Sequence, residues 1–192
     1  MNRYRKSVAA ARQTLRGAEV IGMSAYWVCK KYCVNWWQDA ELSGGPHNEQ
    51  ATHLFDLSRF LLGEVMDIVS LSQGPNACAC VFRFAGGALG TSVYSCEAQD
   101  KDIGIRVFSK QGSLVLSGWD FQLTDNSIDG VLSSFEEDIF LQETAAFLRA
   151  VCLNRQDLLV SDFADAVKTQ QVMDGAQQSW RSGLPISLQG AN

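Results

Sequence analysis

Between Glu64 and Asp125 the chain runs through six short apolar segments, EVMDIVSLSQG, ACACVFRFA, ALGTSVYSCEA, IGIRVFSK, GSLVLSG and DFQLTD, with only turn-sized breaks between them. The breaks carry Gly-Pro, Gly-Gly, Gln-Gly and Asp-Asn dipeptides, which supply tight turns. Strands joined so closely can only be antiparallel neighbours, because a parallel pair needs a long crossover. Cys78, Cys80, Phe82 and Phe84 fall on one face of their strand, and Ile103, Ile105 and Val107 on one face of theirs, as a period of two requires. The sheet therefore has one strongly apolar face. The opposite face (Ala79, Val81, Arg83) is smaller and more mixed, open to solvent or to a second subunit.

Helical patterns flank this block. SVAAARQTLR, from about Ser7 to Arg16, puts Val8, Ala11 and Leu15 on one stripe and stops at Gly17. EVIGMSAYWVCK reads as a further strand, followed by KYCVNWWQDAELSGG, a loop of about a dozen residues. Loops of that length in a compact domain are functional or disordered, and Trp36 and Trp37 point to function. A helix is expected from roughly Asn48 to Leu62, closed by Gly63. After the strands, EEDIFLQETAAFLRAVCLN and SDFADAVKTQQVMDGAQQSWRSG read as amphipathic helices, the second capped at Ser161-Asp162, and LPISL as a short final strand. The expected fold class is α+β: one domain over residues 1–192, a mostly antiparallel open sheet with helices packed on one face.

Several function classes are excluded or weakened. A net charge of −5 argues against a general nucleic-acid binder. The basic residues Arg3, Arg5, Lys6, Arg12 and Arg16 are spaced like the solvated side of a helix. No window reaches the ~18 uninterrupted apolar residues of a membrane helix, and the start of the chain has no apolar leader, so a cytoplasmic protein with reduced thiols is expected. The six cysteines read first as core residues, with a metal site on Cys78 and Cys80 as the weaker alternative. GGALG lies between two strands and lacks the G-x-G-x-x-G spacing, so it reads as a hairpin turn. No G-x-S-x-G pentapeptide is present to support serine hydrolysis.

What remains is SGGPHNEQATHLFDLSRFLLGEV, Ser43 to Val65, which holds both histidines of the chain. Glu49 and His53 lie one helical turn apart on one face. A histidine exchanges protons near neutral pH, and a carboxylate one turn away can orient it or bind a substrate hydroxyl. The same pair also suits an ordinary helix start, where the dipole favours Glu. Spacing alone leaves both readings open.

This stretch resembles the G-G-G-x-x-x-D-x-G-x-H-x-x-D-x-x-x-x-L-x-G segment of the Gfo/Idh/MocA family of NAD(P)-dependent oxidoreductases. MNRYRKSVAAARQTLRGAEVIG, CVFRFAGGALGTSVYS and VMDGAQQSWRSGLPISL are similar to further family segments, in the family's order and over nearly the whole chain. The resemblance covers only the family's C-terminal, dihydrodipicolinate-reductase-like domain. It implies a substrate-binding and oligomerisation domain acting on a sugar, polyol or related hydroxy compound, with homo-oligomers formed through the open sheet face. NAD or NADP would be bound mainly by an N-terminal Rossmann domain that this chain lacks, as it lacks the family's Glu-Lys-Pro motif. No cofactor is expected on this chain, and no hydride transfer from it alone. The alternative is a non-enzymatic ligand-binding or assembly module.

By the same resemblance His53 occupies the position of the catalytic histidine, which takes the proton of a substrate hydroxyl while hydride leaves the same carbon. Glu49 falls where an aspartate contacts substrate or histidine, and Trp37 and Asp39 border a sugar-like substrate. The chain departs from the pattern at Glu49, whose arm is longer than aspartate's by about 1.5 Å. It departs also at Ala51, where glycine is usual, and at His47 and Asn48, where apolar residues are usual. These changes imply an altered substrate or relaxed selection on the site.

Overall fold

The computed structural model describes residues 1–125, 131–132 and 138–188. Among these, nine strands form one open sheet in the order β8-β7-β6-β5-β1-β4-β3-β2-β9. They are β1 (Val20–Val28), β2 (Val65–Ser72), β3 (Ala77–Phe84), β4 (Leu89–Ser95), β5 (Asp102–Ser109), β6 (Gly112–Ser117), β7 (Gln122–Asp125), β8 (Val131–Leu132) and β9 (Ile186–Ser187). All neighbouring pairs are antiparallel except β1 and β4. That parallel pair is possible because the chain between them passes through a long helix and two strands, which supplies the crossover. The helices are α1 (Lys6–Thr14), α2 (Ala40–Ser43), α3 (Gly45–Leu62), α4 (Ile139–Leu153) and α5 (Phe163–Ser182). Asn126 of the Asp-Asn turn signal, and Glu136 and Glu137 of the expected fourth helix, lie outside the described residues.

The alternation read from sequence is the alternation of burial. Cys78, Cys80, Phe82 and Phe84 of β3 and Ile103, Ile105 and Val107 of β5 face the core, while Ala79, Val81 and Arg83 face outward. Phe82 reaches its place because Gly90 stands opposite it on β4, where any Cβ would collide with the ring. Gly86 and Gly87 form the β3–β4 hairpin, Gly87 at φ +85° and Phe84 N–H donating to Ala88 O at 2.9 Å. On the inner face α3 buries Leu54, Phe55, Leu57 and Leu61, and α5 buries Val172, Met173 and Ala176. Val8 and Ala11 of α1 complete the layer. Burying such side chains contributes roughly 1.5–3 kcal/mol each.

Two expectations need correction. Arg3 and Arg5 are not on a solvated face: both are buried, and only Lys6, Arg12 and Arg16 of that group are exposed. Arg3 grips Asp56 of α3 with Nε to Oδ2 at 3.0 Å and Nη2 to Oδ1 at 2.5 Å, and reaches Asp165 of α5 at 2.6 Å. Arg59 of α3 joins the same network through Glu64 (2.9 Å), Asp165 (2.9 Å) and Thr169 (2.6 Å). A buried arginine is tolerated only when its donors are matched in this way, so these residues clamp the N-terminal segment, α3 and α5 together. The second correction concerns α4. Its helix forms as expected, with Asp138 capping the Phe140 and Leu141 amides, but among the described residues most of its apolar face is left uncovered. Only Ile139 and Ala150 are buried, while Phe140, Leu141, Phe147, Leu148 and Val151 stay exposed, joined by Phe163 of α5.

Candidate active site

The turn that launches α3 is built from Ser43, Gly44 and Gly45. Both glycines have positive φ, +78° and +86°, which suits glycine alone. The Ser43 hydroxyl accepts from Gly45 N–H at 2.9 Å, and Asn48 Nδ2 donates to Ser43 O at 2.8 Å. Pro46, whose missing N–H costs nothing in a first turn, lets the helix begin at Gly45, three residues before the expected Asn48. The long loop is ordered too: Asn35–Gln38 makes a 3-10 turn and leads into α2.

His53 lies two turns into α3, half-buried. Its ring stacks on Trp27 of β1, centroids 5.3 Å apart and planes 27° from parallel. Trp27 is fully buried and meets the edge of Trp119 at 6.0 Å. Burial holds the His53 pKa below the ordinary histidine value, with Asp56 pulling the other way. The imidazole is therefore neutral at pH 7 and able to accept a proton. It opens on a cavity of about 570 Å³ lined also by Met1, Tyr4, Thr52, Phe147 and Phe163.

The residues expected around His53 are placed unequally. Glu49 sits one turn before it, half-buried, its carboxyl pushed up by burial, and no hydrogen bond joins the two side chains among the described residues. The carboxylate whose charge His53 feels is Asp56, held by Arg3 and by the Thr169 hydroxyl at 3.3 Å. Trp37 belongs to an aromatic string reaching toward the site: it meets Tyr32 at 5.2 Å and Trp36 at 5.9 Å. Asp39 caps α2, accepting from Glu41 N–H at 2.9 Å, and is exposed. Sequence reasoning passed over Asp56, Trp27 and Trp119. Asp56 stands three residues after His53 in the quoted motif, so it was within reach; Trp27 comes from β1 and Trp119 from the β6–β7 turn, both distant in sequence and without a local signal.

The second histidine has a different environment. His47 is 3% exposed and ringed by Trp180 (4.9 Å), Tyr94 (5.7 Å) and Phe55 (6.1 Å). Neither ring nitrogen has a hydrogen-bond partner among the described residues, and burial pushes its pKa down to about 4. It fills an apolar position as a neutral core side chain.

All six cysteines are free, and Cys29, Cys78, Cys80 and Cys96 are buried. Among the described residues no group of three or more His, Cys, Asp or Glu side chains could hold a metal ion. No helix among them is long and apolar enough to cross a membrane.

Solved structures share this open, helix-backed sheet. The WlbA dehydrogenase from Bordetella pertussis, in complex with NADH and UDP-GlcNAcA, superimposes with a TM-score of 0.80 at 15% identity, over 98% of this chain and 61% of that one. An oxidoreductase domain protein from Kribbella flavida gives 0.82 at 18%, over 98% and 64%. Levoglucosan dehydrogenase with NADH and L-sorbose gives 0.82 at 18%, over 97% and 64%. The chain thus spans less than two thirds of the length of these structures. Curated protein sequences give no match. Residues 19–115, just over half of the chain, match the GFO/IDH/MocA C-terminal domain, and the chain belongs to that family.

Proposed function

We propose that this chain is the substrate-binding half of an NAD(P)-dependent dehydrogenase acting on a sugar, polyol or related hydroxy compound, and that His53 accepts the hydroxyl proton. The observation that carries this reading is the neutral His53 imidazole, fixed on Trp27 and open to a cavity large enough for a sugar-sized ligand. The relatives crystallised with NADH and with UDP-GlcNAcA or L-sorbose support the substrate class. The nicotinamide would supply the hydride acceptor. The sequence carries no glycine-rich phosphate cradle of the G-x-G-x-x-G kind, and in this reading the phosphates are held by a separate Rossmann domain. The exposed apolar face of α4 borders the same cavity through Phe147, and in this reading it is covered by that Rossmann domain. Glu49 and Trp37 would bind hydroxyls and the ring face of the substrate, with Asp39 at the outer margin.

The outer face of the sheet is assigned to self-association. Val69 pairs with Val81, and Leu71 and Val93 both adjoin Ala79, so exposed apolar side chains run unbroken across β2, β3 and β4. A face of this kind favours a two-fold dimer. Sedimentation of the 192-residue chain should give a dimer that Val81→Asp converts to a monomer; a monomeric parent chain would contradict the assignment. The dehydrogenase reading itself is tested by nicotinamide reduction in a protein carrying this chain with a Rossmann domain. Turnover on sugars or cyclic polyols, lost in His53→Ala, supports it. Absence of turnover leaves the binding-module alternative.

A further inference from the structure

Cys29 and Cys96 follow directly on β1 and β4, the two strands that pair in parallel. The register aligns Trp27 with Tyr94 and Val28 with Ser95, so one residue further the two cysteines stand side by side. Cys29 N–H donates to Ser95 O at 2.9 Å, the bond that this next rung requires. Each cysteine lies two residues beyond a core-facing ring, on the same face, and both are buried, at 2% and 1% exposure. Neighbours of this kind have Cα atoms about 4.8 Å apart, inside the range of roughly 4.4–6.8 Å found across disulfides. A disulfide also draws the Cβ atoms to about 3.8 Å, closer than the strand spacing. The ladder loosens at this point, Cys29 O accepting from Ala98 N–H at 3.1 Å and not from Glu97, which leaves the Cys96 end room to close that distance. No other two cysteines among the described residues are paired across neighbouring strands: Cys78 stands between Ser72 and Tyr94, and Cys80 between Ser70 and Ser92. The pair is also within reach of solutes, because Cys29 lines a cavity of about 460 Å³ together with Lys30, Lys31 and Lys101. Burial and the neighbouring Cys96 hold the Cys29 thiol pKa up, while Lys101 favours the thiolate.

We infer that Cys29 and Cys96 are a redox-sensitive pair that closes to a disulfide and staples the end of β1 to the end of β4. The oxidant is a small-molecule disulfide such as oxidised glutathione, acting by thiol–disulfide exchange. The Cys29 thiolate attacks one sulfur of that disulfide, forming a mixed disulfide and expelling one glutathione thiolate. Cys96, its proton passed to solvent, then attacks Sγ of Cys29 and expels the second. Two protein thiols are oxidised to one disulfide, and one glutathione disulfide is reduced to two glutathione thiols, which take up the two protons. The staple lies two residues beyond Trp27, the ring on which His53 stacks, so oxidation fixes the platform of the candidate site. The inference stands apart from the dehydrogenase reading.

The test treats the folded 192-residue chain, carrying Cys33→Ser and Cys152→Ser, with oxidised glutathione in the absence of denaturant. Both replacements fall at exposed positions and leave the four buried thiols in place. Peptide mapping by mass spectrometry should find Cys29 joined to Cys96, with the other two thiols still free and the cross-link reversed by dithiothreitol. The oxidised chain should melt roughly 5–15 °C higher than the reduced one, the scale of a disulfide closing a long loop in a domain of this size. Adding Cys96→Ala should stop the reaction at a glutathione adduct on Cys29. Four thiols that all stay free, or a disulfide that joins any other pair, overturns the inference. So does a Cys29–Cys96 cross-link that leaves the melting temperature unchanged, because the two strand ends are then not stapled by it.

Discussion

His53→Ala, in a protein that joins this chain to a nicotinamide-binding domain, is expected to lower kcat by roughly 10²–10⁴-fold, the range for loss of a positioned proton acceptor. The ring is suited to the task because burial keeps it neutral and stacking on Trp27 fixes its plane. Alanine removes the acceptor and leaves the α3 backbone, the Arg3–Asp56 clamp and the cofactor surface of the other domain untouched. Cofactor affinity should therefore change little, and the loss should appear in kcat and kcat/KM alike. Steady-state kinetics with a cofactor titration makes the measurement. A variant that turns over at the parental rate removes His53 from the chemistry.

The other histidine should dominate acid stability. His47 has a folded pKa of about 4 against an ordinary value of 6.5. Above pH 6.5 neither the folded nor the unfolded state binds the proton, and the full stability is present. Between pH 6.5 and 4 the unfolded chain takes up a proton that the folded core refuses, so stability falls as pH falls. Through this one side chain the loss by pH 4 is about 3 kcal/mol. His47→Leu, close in volume and without polar atoms, should abolish that component and remove two orphaned buried nitrogens as well. Urea unfolding at pH 7 and pH 4 compares the two: the variant should gain about 3 kcal/mol on the parent between those pH values. Parallel pH dependence in both chains would show that His47 is hydrogen-bonded or hydrated in solution.

Much of the sheet was legible because its signals are local. The period-two alternation of β3 and β5 and the glycine turn between β3 and β4 each need only a few consecutive residues to be read. What escaped depends on distant partners. Arg3 and Arg5 look solvated at helical spacing, and only the folded chain shows Asp56 and Asp165 waiting for Arg3. The apolar stripe of α4 reads as a packed helix, because periodicity says that a face is to be covered and not by what. His53 was proposed from a motif, whereas Trp27, Trp119 and Lys101 come together only when β1, the β6–β7 turn and the start of β5 meet at one end of the sheet. Glu49 shows the reverse: its i, i+4 spacing suggested a partner for His53, yet Asp56 is the carboxylate that His53 feels.

The central claim, that His53 is the proton acceptor, is tested most directly by the pH dependence of kcat/KM for alcohol oxidation, comparing the parent with His53→Gln in the two-domain protein. This parameter reports ionisations of the free enzyme. The account predicts an acidic limb in the parent with a midpoint below the ordinary histidine value of 6.5, and no such limb in the residual activity of the glutamine variant. The same limb persisting in His53→Gln would assign the proton to another group and contradict the account.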